Sequence, residues 1–295
     1  LWLDVLRPPS GFTLSSTVLA LVDARALRAR APGELKRPET IDFQTAVPVR
    51  VGLFCERIFG EGAFERGPFA DDELVTEARA TRFGRIVLPA PVVHPLALAH
   101  APDDIAERAR ISRAELDELT AHIDPGRWAR LGELLARTEE GAAVLLHELP
   151  VLPPYLRPMK LLDGGDWTIA GLNDLYRSVV NRAFRLRRLC ELEAPDVITA
   201  NEYKMMARAI HALFENEDCP EPITDHEARP YVSLRTLGVG NRLFEALTEL
   251  DRRHALGVAP DGPLTRTLHH PIAALHAMGL ELRRSCGAGP GAGRP

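Results

Sequence analysis

"LNDLYRSVVNRAFRLRRLCELEAPDVITANEYKMMARAIHALFEN" occupies residues 172–216. Leu172, Tyr176, Val179, Ala183, Leu186 and Cys190 alternate spacings of four and three. That is the narrow apolar seam by which one helix packs on a partner. "ELEAPD" interrupts the pattern, because Pro195 disfavours helical geometry at Ala194. A second pattern follows, with Ile198, Met205, Ala209 and Ala212 or Leu213 on one side. Two helices of about 20 residues, each about 30 Å long, joined by a short turn make an antiparallel hairpin. Such a hairpin has little core of its own and is expected to protrude from a body.

The hairpin is preceded by "LPVLPPYLRPMKLLDGGDW", residues 149–167. Pro150, Pro153, Pro154 and Pro158 exclude a helix interior here, since each lacks an N–H and fixes φ. With Arg157 they form an expected rigid strap leading into the first hairpin helix. Asp163 precedes Gly164 and Gly165, a turn signature that needs no catalytic role.

Outward from this centre the chain is less regular. "VRVGLFCERIFG" (49–60) alternates enough for a strand or a strand and turn. Residues 61–82 are acidic and broken by Gly and Pro, as in an exposed loop. "FGRIVLPAPVVHPLAL" (83–98) begins with a β-like run that its prolines are expected to end. Helices are expected from about 102 to 147, with Ser112 and Glu115 in a capping-box arrangement. Residues 217–234 read as irregular, and 240–256 and 263–284 as helices. "GAGPGAGRP" at the C-terminus is low-complexity, with disorder expected over 285–295.

The fold class expected is therefore α+β and mostly helical. The divisions are a small β-containing body (1–148), the strap and a turn (149–170), the coiled-coil hairpin (171–216), and a return segment with helices (217–284).

Composition narrows the function classes. The 295 residues suggest about two domains and suffice for a real core. A net charge of −5 argues against coating nucleic acid by charge alone. The four cysteines, Cys55, Cys190, Cys219 and Cys286, form no C-x-x-C pair, so neither a zinc ribbon nor a disulfide framework is indicated. A reducing cytoplasm fits, and no apolar run approaches the roughly 20 residues that span a bilayer. None of the ten histidines forms H-E-x-x-H; His94, His100, His269, His270 and His276 read as solvated or core residues. Asp71, Asp72 and Glu73 could offer Mg²⁺ oxygens, but nothing nearby fixes a geometry. "GVGNRL" (238–243) fails the dinucleotide fingerprint, and no G-x-S-x-G or P-loop occurs. No catalytic, metal or cofactor site is expected.

What remains is charge on the hairpin. Its first helix carries Arg177, Arg182, Arg185, Arg187 and Arg188; its second carries Glu202, Lys204 and Arg208. The run fits a solvated face. It also fits a docking surface, since arginine's planar fork suits carboxylate or phosphate.

At these residues the sequence resembles the N-terminal clamp region of the bacterial RNA polymerase β′ subunit. The strap and the 172–216 stretch carry most of the likeness. "GELKRPETIDFQTAVPVRVGLFCERIFG", "FGRIVLPAPVVHPLAL" and "EPITDHEARPYVSL" resemble other β′ segments in the same order. The resemblance implies that the hairpin is the clamp coiled coil, a docking site for a sigma factor or a sigma region 2-like protein. The matching positions are Arg182, Arg185, Arg188, Leu189, Glu202, Lys204 and Ala209. Ala200, Ala183-Phe184 and Tyr203 depart from the family pattern, which bears on the choice of sigma factor.

The family's four-cysteine zinc ribbon has no counterpart between Gly60 and Arg82. Asp166-Trp167 replaces the lid's basic-aromatic pair. The basic switch segment and the Mg²⁺-binding aspartate triad are absent from this chain, and two-metal phosphoryl transfer needs those carboxylates. The resemblance thus implies a free-standing, non-catalytic clamp-like protein. The alternative it leaves open is a subunit of a divergent or split polymerase, meeting other polymerase subunits, and DNA only within the larger complex.

Overall fold

The computed structural model describes residues 17–21, 24–60, 82–120, 125–161, 167–239, 243, 245–247, 249, 252–253 and 262–284. The acidic loop, Asp71 to Glu73, Asp163, Asp166, Cys286 and the C-terminal tail lie outside these residues. The fold is α+β and mostly helical.

The chain enters through strand β1 (Thr17–Leu21), helix α1 (Ala24–Arg30), and short strands β2 (Gly33–Glu34), β3 (Ile41–Asp42) and β4 (Val47–Pro48). "GLFCERIFG" is not a strand but a turn leading into one helical turn, α2 (Glu56–Phe59). Its apolar side chains Leu53, Phe54, Ile58 and Phe59 are buried at helix-like spacing. The alternation read from the sequence was too short to tell the two periods apart.

Strand β5 (Gly84–Val93) is the centre of a three-stranded mixed sheet. β2 lies parallel to it, pairing Gly33 with Gly84. On its other side β6 (Leu145–Val151) runs antiparallel, from Gly84↔Val151 to Val93↔Leu145. β5 does not end at its prolines. The register shifts between Val87 and Val92, so Pro89 and Pro91 sit in the irregularity where no ladder N–H is required.

Between β5 and β6 come α3 (Pro95–His100), α4 (Pro102–Ala109), α5 (Arg113–Thr120), α6 (Pro125–Ala136) and α7 (Glu139–Ala142). Ser112 caps α5 as expected, accepting from the Glu115 N–H at 3.2 Å. Thr138 caps α7 in the same way through Gly141. The helical stretch is shorter than expected: "LLHELPV" is edge strand β6, not helix. A continuous apolar run is ambiguous between a buried strand and a buried helix.

After β6 the chain makes a 3₁₀ turn (Pro154–Leu156) and the β7 (Met159–Leu161)–β8 (Trp167–Ile169) pair. Then come α8 (Leu172–Glu191) and α9 (Asp196–Glu215). An irregular return segment leads to α10 (Leu234–Gly238), and the described positions between 243 and 253 are helical. The expected final helix is split. α11 (Gly262–Ala277) stops before Gly279, which has φ 73°, and β9 (Leu280–Arg284) pairs antiparallel with β1. A left-handed glycine ends a helix without steric cost.

His94 ties this C-terminal piece to the body. Its Nδ1 caps α3 by accepting from the Ala97 N–H, and its Nε2–H donates to the Met278 carbonyl at 2.8 Å. Complete burial pushes its pKa down to about 4, so the ring is neutral at pH 7.

A candidate docking surface on the helical hairpin

α8 and α9 are 20 residues each and are joined by residues 192–195. They run alongside one another in opposite directions, with Arg182 of one meeting Glu202 of the other. Leu172, Tyr176, Val179, Ala183 and Leu186 are buried as the seam requires. Leu175 and Val180 are buried too, so the apolar face is wider than a two-helix seam. The reason is that α8 also rests on the sheet. Arg187 Nη2 donates to the Val87 carbonyl at 2.8 Å, and Tyr203 of α9 donates to the Pro91 carbonyl at 2.9 Å. Both acceptors belong to the prolines' irregular stretch of β5 or its border, where the ladder leaves carbonyls available. Burial pushes the Tyr203 phenol up to about 12, so it remains a donor.

The hairpin therefore does not protrude along its whole length. Its lower part belongs to the core, and its end stands clear. Cys190, the last seam position, is exposed. Ile198, expected on the packed side of α9, is 48% exposed, because no body reaches that far. Phe184, Leu192 and Val197 are also exposed, Val197 at 81%.

The basic run is more committed than its sequence suggests. Glu202 is only 3% exposed and lies between two arginines. Arg182 Nη1 reaches its Oε1 at 3.2 Å, and Arg185 Nε reaches its Oε2 at 3.2 Å. Arg177 pairs with Asp174, and Arg188 Nη1 with Glu191 at 3.2 Å. Of the positions expected to meet a partner, Glu202 and Ala209 are buried. Glu202 acts as the internal counter-charge that fixes Arg182 and Arg185. Arg185 and Arg188 keep exposed side chains, at 65% and 59%. Leu189 and Lys204 are half-buried. The surface that remains is Arg185, Arg188 and Leu189 near the end of α8, bordered by Phe184. Phe184 was legible only as a departure from a polar pattern.

The strap anchors the hairpin's base, and one residue does most of it. Pro150 closes edge strand β6 opposite Arg85, and Pro153 and Pro154 set the 3₁₀ turn. An edge strand tolerates proline because one side of it needs no donor. Arg157 then turns inward and is completely buried. Nε donates to the Leu152 carbonyl at 2.8 Å, Nη1 to Asn173 Oδ1 at 2.6 Å, and Nη2 to the Leu53 carbonyl. Asn173 returns a bond to the Arg157 carbonyl at 2.8 Å. The guanidinium also lies over Phe54, Phe59 and Tyr176, at 5.1, 5.2 and 5.7 Å from the ring centres. No carboxylate is among these partners; carbonyl dipoles and ring faces hold the charge. Burial pulls its pKa down to about 9, which still leaves it charged at neutral pH. One side chain thus joins the strap, the "GLFCERIFG" turn and the root of α8. The sequence reading assigned Arg157 to the strap without this reach.

Segments far apart in sequence, with the strap, the 53–59 turn and the hairpin, thus form one supported unit. Residues 96–237 match the family model for RNA polymerase Rpb1, domain 1. The match supports an N-terminal region of an RNA polymerase largest subunit, and with it a role in transcription. It runs from α3 through α10, so it takes in the strap, the hairpin and the return segment. The "GLFCERIFG" turn lies outside the matched Rpb1 residues, although Arg157 binds it directly. Among the described residues no group of three or more His, Cys, Asp or Glu is placed to hold a metal ion. Among them, too, no helix is long and apolar enough to cross a membrane.

Proposed function

We propose that this chain is a non-catalytic clamp-like protein of the bacterial β′ type, and that it binds a sigma factor through the end of its hairpin. The observation that carries the reading is the division of the hairpin into two parts. Its root is fixed by Arg157 and Asn173 and its upper part is closed by Glu202, while Arg185, Arg188 and Leu189 lie near the end that stands clear of the body. A rigid root presenting arginines beside apolar side chains suits an acidic, amphipathic helical partner. Complementary charge there sets register and on-rate more than raw affinity.

Arg188→Glu combined with Leu189→Ala is the appropriate test, because Arg188 is exposed and paired only within its own helix and Leu189 is half-buried. Reversal at Arg182 or Arg185 would instead place two carboxylates at the buried Glu202. The tagged double variant is expected to lose co-purification of a sigma factor that the unchanged chain retains. Equal retention by the folded variant would overturn the assignment. Recovery of a β subunit together with an aspartate-bearing β′ chain would instead favour a split polymerase.

A further inference from the structure

At the foot of the hairpin, away from the docking end, the 3₁₀ turn Asn216–Asp218 folds Cys219 back onto the last turn of α9. Cys219 Sγ lies 3.7 Å from His211 Nδ1 and 3.4 Å from the Glu215 carbonyl oxygen. The other ring nitrogen, His211 Nε2, lies 3.6 Å from Glu215 Oε2. Thiol, imidazole and carboxylate thus stand in line. The carboxylate is 4% exposed and is fixed from two further elements: His100 Nε2 of α3 at 3.0 Å and Arg235 Nη1 of α10 at 2.9 Å. Arg235 also pairs with Asp218. A nucleophile beside a base that a third group orients is the arrangement that generates a reactive thiolate. Cys219 is partly accessible, whereas Cys55 is buried and Cys190 is exposed near the hairpin end.

We propose that Cys219 is a reactive thiolate and a site of oxidation by peroxide. In the thiol form Sγ–H donates to the Glu215 carbonyl; transfer of that proton to His211 Nδ1 gives a thiolate–imidazolium pair, which Glu215 supports from the other side of the ring. The hydrogen bonds from Cys219 and then Glu215 raise His211 to about 9, in keeping with this pair. The thiolate attacks one oxygen of hydrogen peroxide, the O–O bond breaks, and the departing hydroxide takes the His211 proton to leave as water. Sulfur is oxidised by two electrons to the sulfenic acid, and peroxide is reduced to water. The sulfenic acid is neutral and His211 has given up its proton, so the ion pairs it made with the thiolate and with Glu215 are both lost. Oxidation thereby loosens the contact between α9 and the return segment.

The test uses the full chain, with iodoacetamide and hydrogen peroxide as probes and each cysteine read separately by peptide mass spectrometry. Between pH 8 and pH 6 the alkylation rate of Cys219 is expected to change less than about threefold, while that of free cysteine run alongside falls by about tenfold per pH unit. Peroxide followed by dimedone is expected to label Cys219 ahead of Cys190. His211→Gln should return Cys219 to the free-cysteine profile; circular dichroism establishes that this variant folds, and if it does not, the unchanged chain decides alone. A Cys219 rate that tracks free cysteine in the unchanged chain, or dimedone labelling at Cys190 without Cys219, would overturn the proposal. So would an unaltered Cys219 profile in folded His211→Gln.

Discussion

Arg157 bonds to two main-chain carbonyls and one amide oxygen that diverge around a planar group, and its charge rests on three ring faces. Lysine cannot reproduce that geometry, since its ammonium is a point charge on a flexible stem. Arg157→Lys and Arg157→Met are both expected to lower stability by about 3 kcal/mol or more, through stranded acceptors and lost packing. Urea midpoints of the two variants check this, and rescue by Lys would show that charge alone matters. Gly171 is a second single-residue dependence. A Cβ there would come within 2.1 Å of the Tyr231 ring. Gly171→Ala is expected to cost roughly 1–3 kcal/mol as Tyr231 is displaced from the start of α8. At this scale the sequence was only partly informative. Arg157 was legible as part of a strap, but its partners lie 104 and 16 residues away in the chain. Nothing local announces a contact with Leu53.

For the hairpin as an element, length and turn were legible because periodicity and Pro195 are local signals. The two helices end within a residue or so of where the pattern stops. What the pattern could not supply was how far up the body reaches. Cys190 and Ile198 continue the apolar spacing yet lie exposed, while Leu175 and Val180, off the seam, are buried. Glu202 likewise looked like surface charge and is the buried counter-ion of two arginines. Glu202→Gln is expected to weaken closure of the upper hairpin by about 1–3 kcal/mol, since two charge-assisted bonds become neutral. Hydrogen exchange should speed up at the α9 amides around residue 202 and stay unchanged near Phe214 at the hairpin's base. Faster exchange at the base instead would mean that Glu202 supports the whole element. Val197, in contrast, is open to water, and Val197→Asp should shift stability by no more than about 0.5 kcal/mol.

Across the whole molecule, buried titratable groups set opposing pH limits. His94 and His276 have their pKa lowered to about 4 by burial. Each contributes stability fully present above the unfolded value near 6.5, lost as pH falls from there towards 4. His211 is raised to about 9, so its contribution is present below about 6.5 and lost as pH rises towards 9. Glu215 is lowered to about 2: desolvation opposes this, but His100, His211 and Arg235 outweigh it. Its contribution is lost only below the ordinary carboxylate range. Urea midpoints are therefore expected to peak near pH 6.5–7 and to decline on both sides. His94→Gln should flatten the acid limb, and His211→Gln the alkaline limb. The fold at this scale was legible as a class. The closing of β1 on β9 was not, because residues 17–21 and 280–284 carry no signal of each other.

The central claim is that the exposed end of the hairpin binds a sigma factor, and a direct titration tests it most simply. Labelled, purified sigma factor from the source organism is titrated with the purified chain, followed by fluorescence anisotropy, alongside the Arg188→Glu/Leu189→Ala variant. The expected result is saturable binding by the unchanged chain and a loss of at least about tenfold in the variant, equivalent to about 1.4 kcal/mol. No saturable binding by the folded chain, or equal binding by the folded variant, would contradict it.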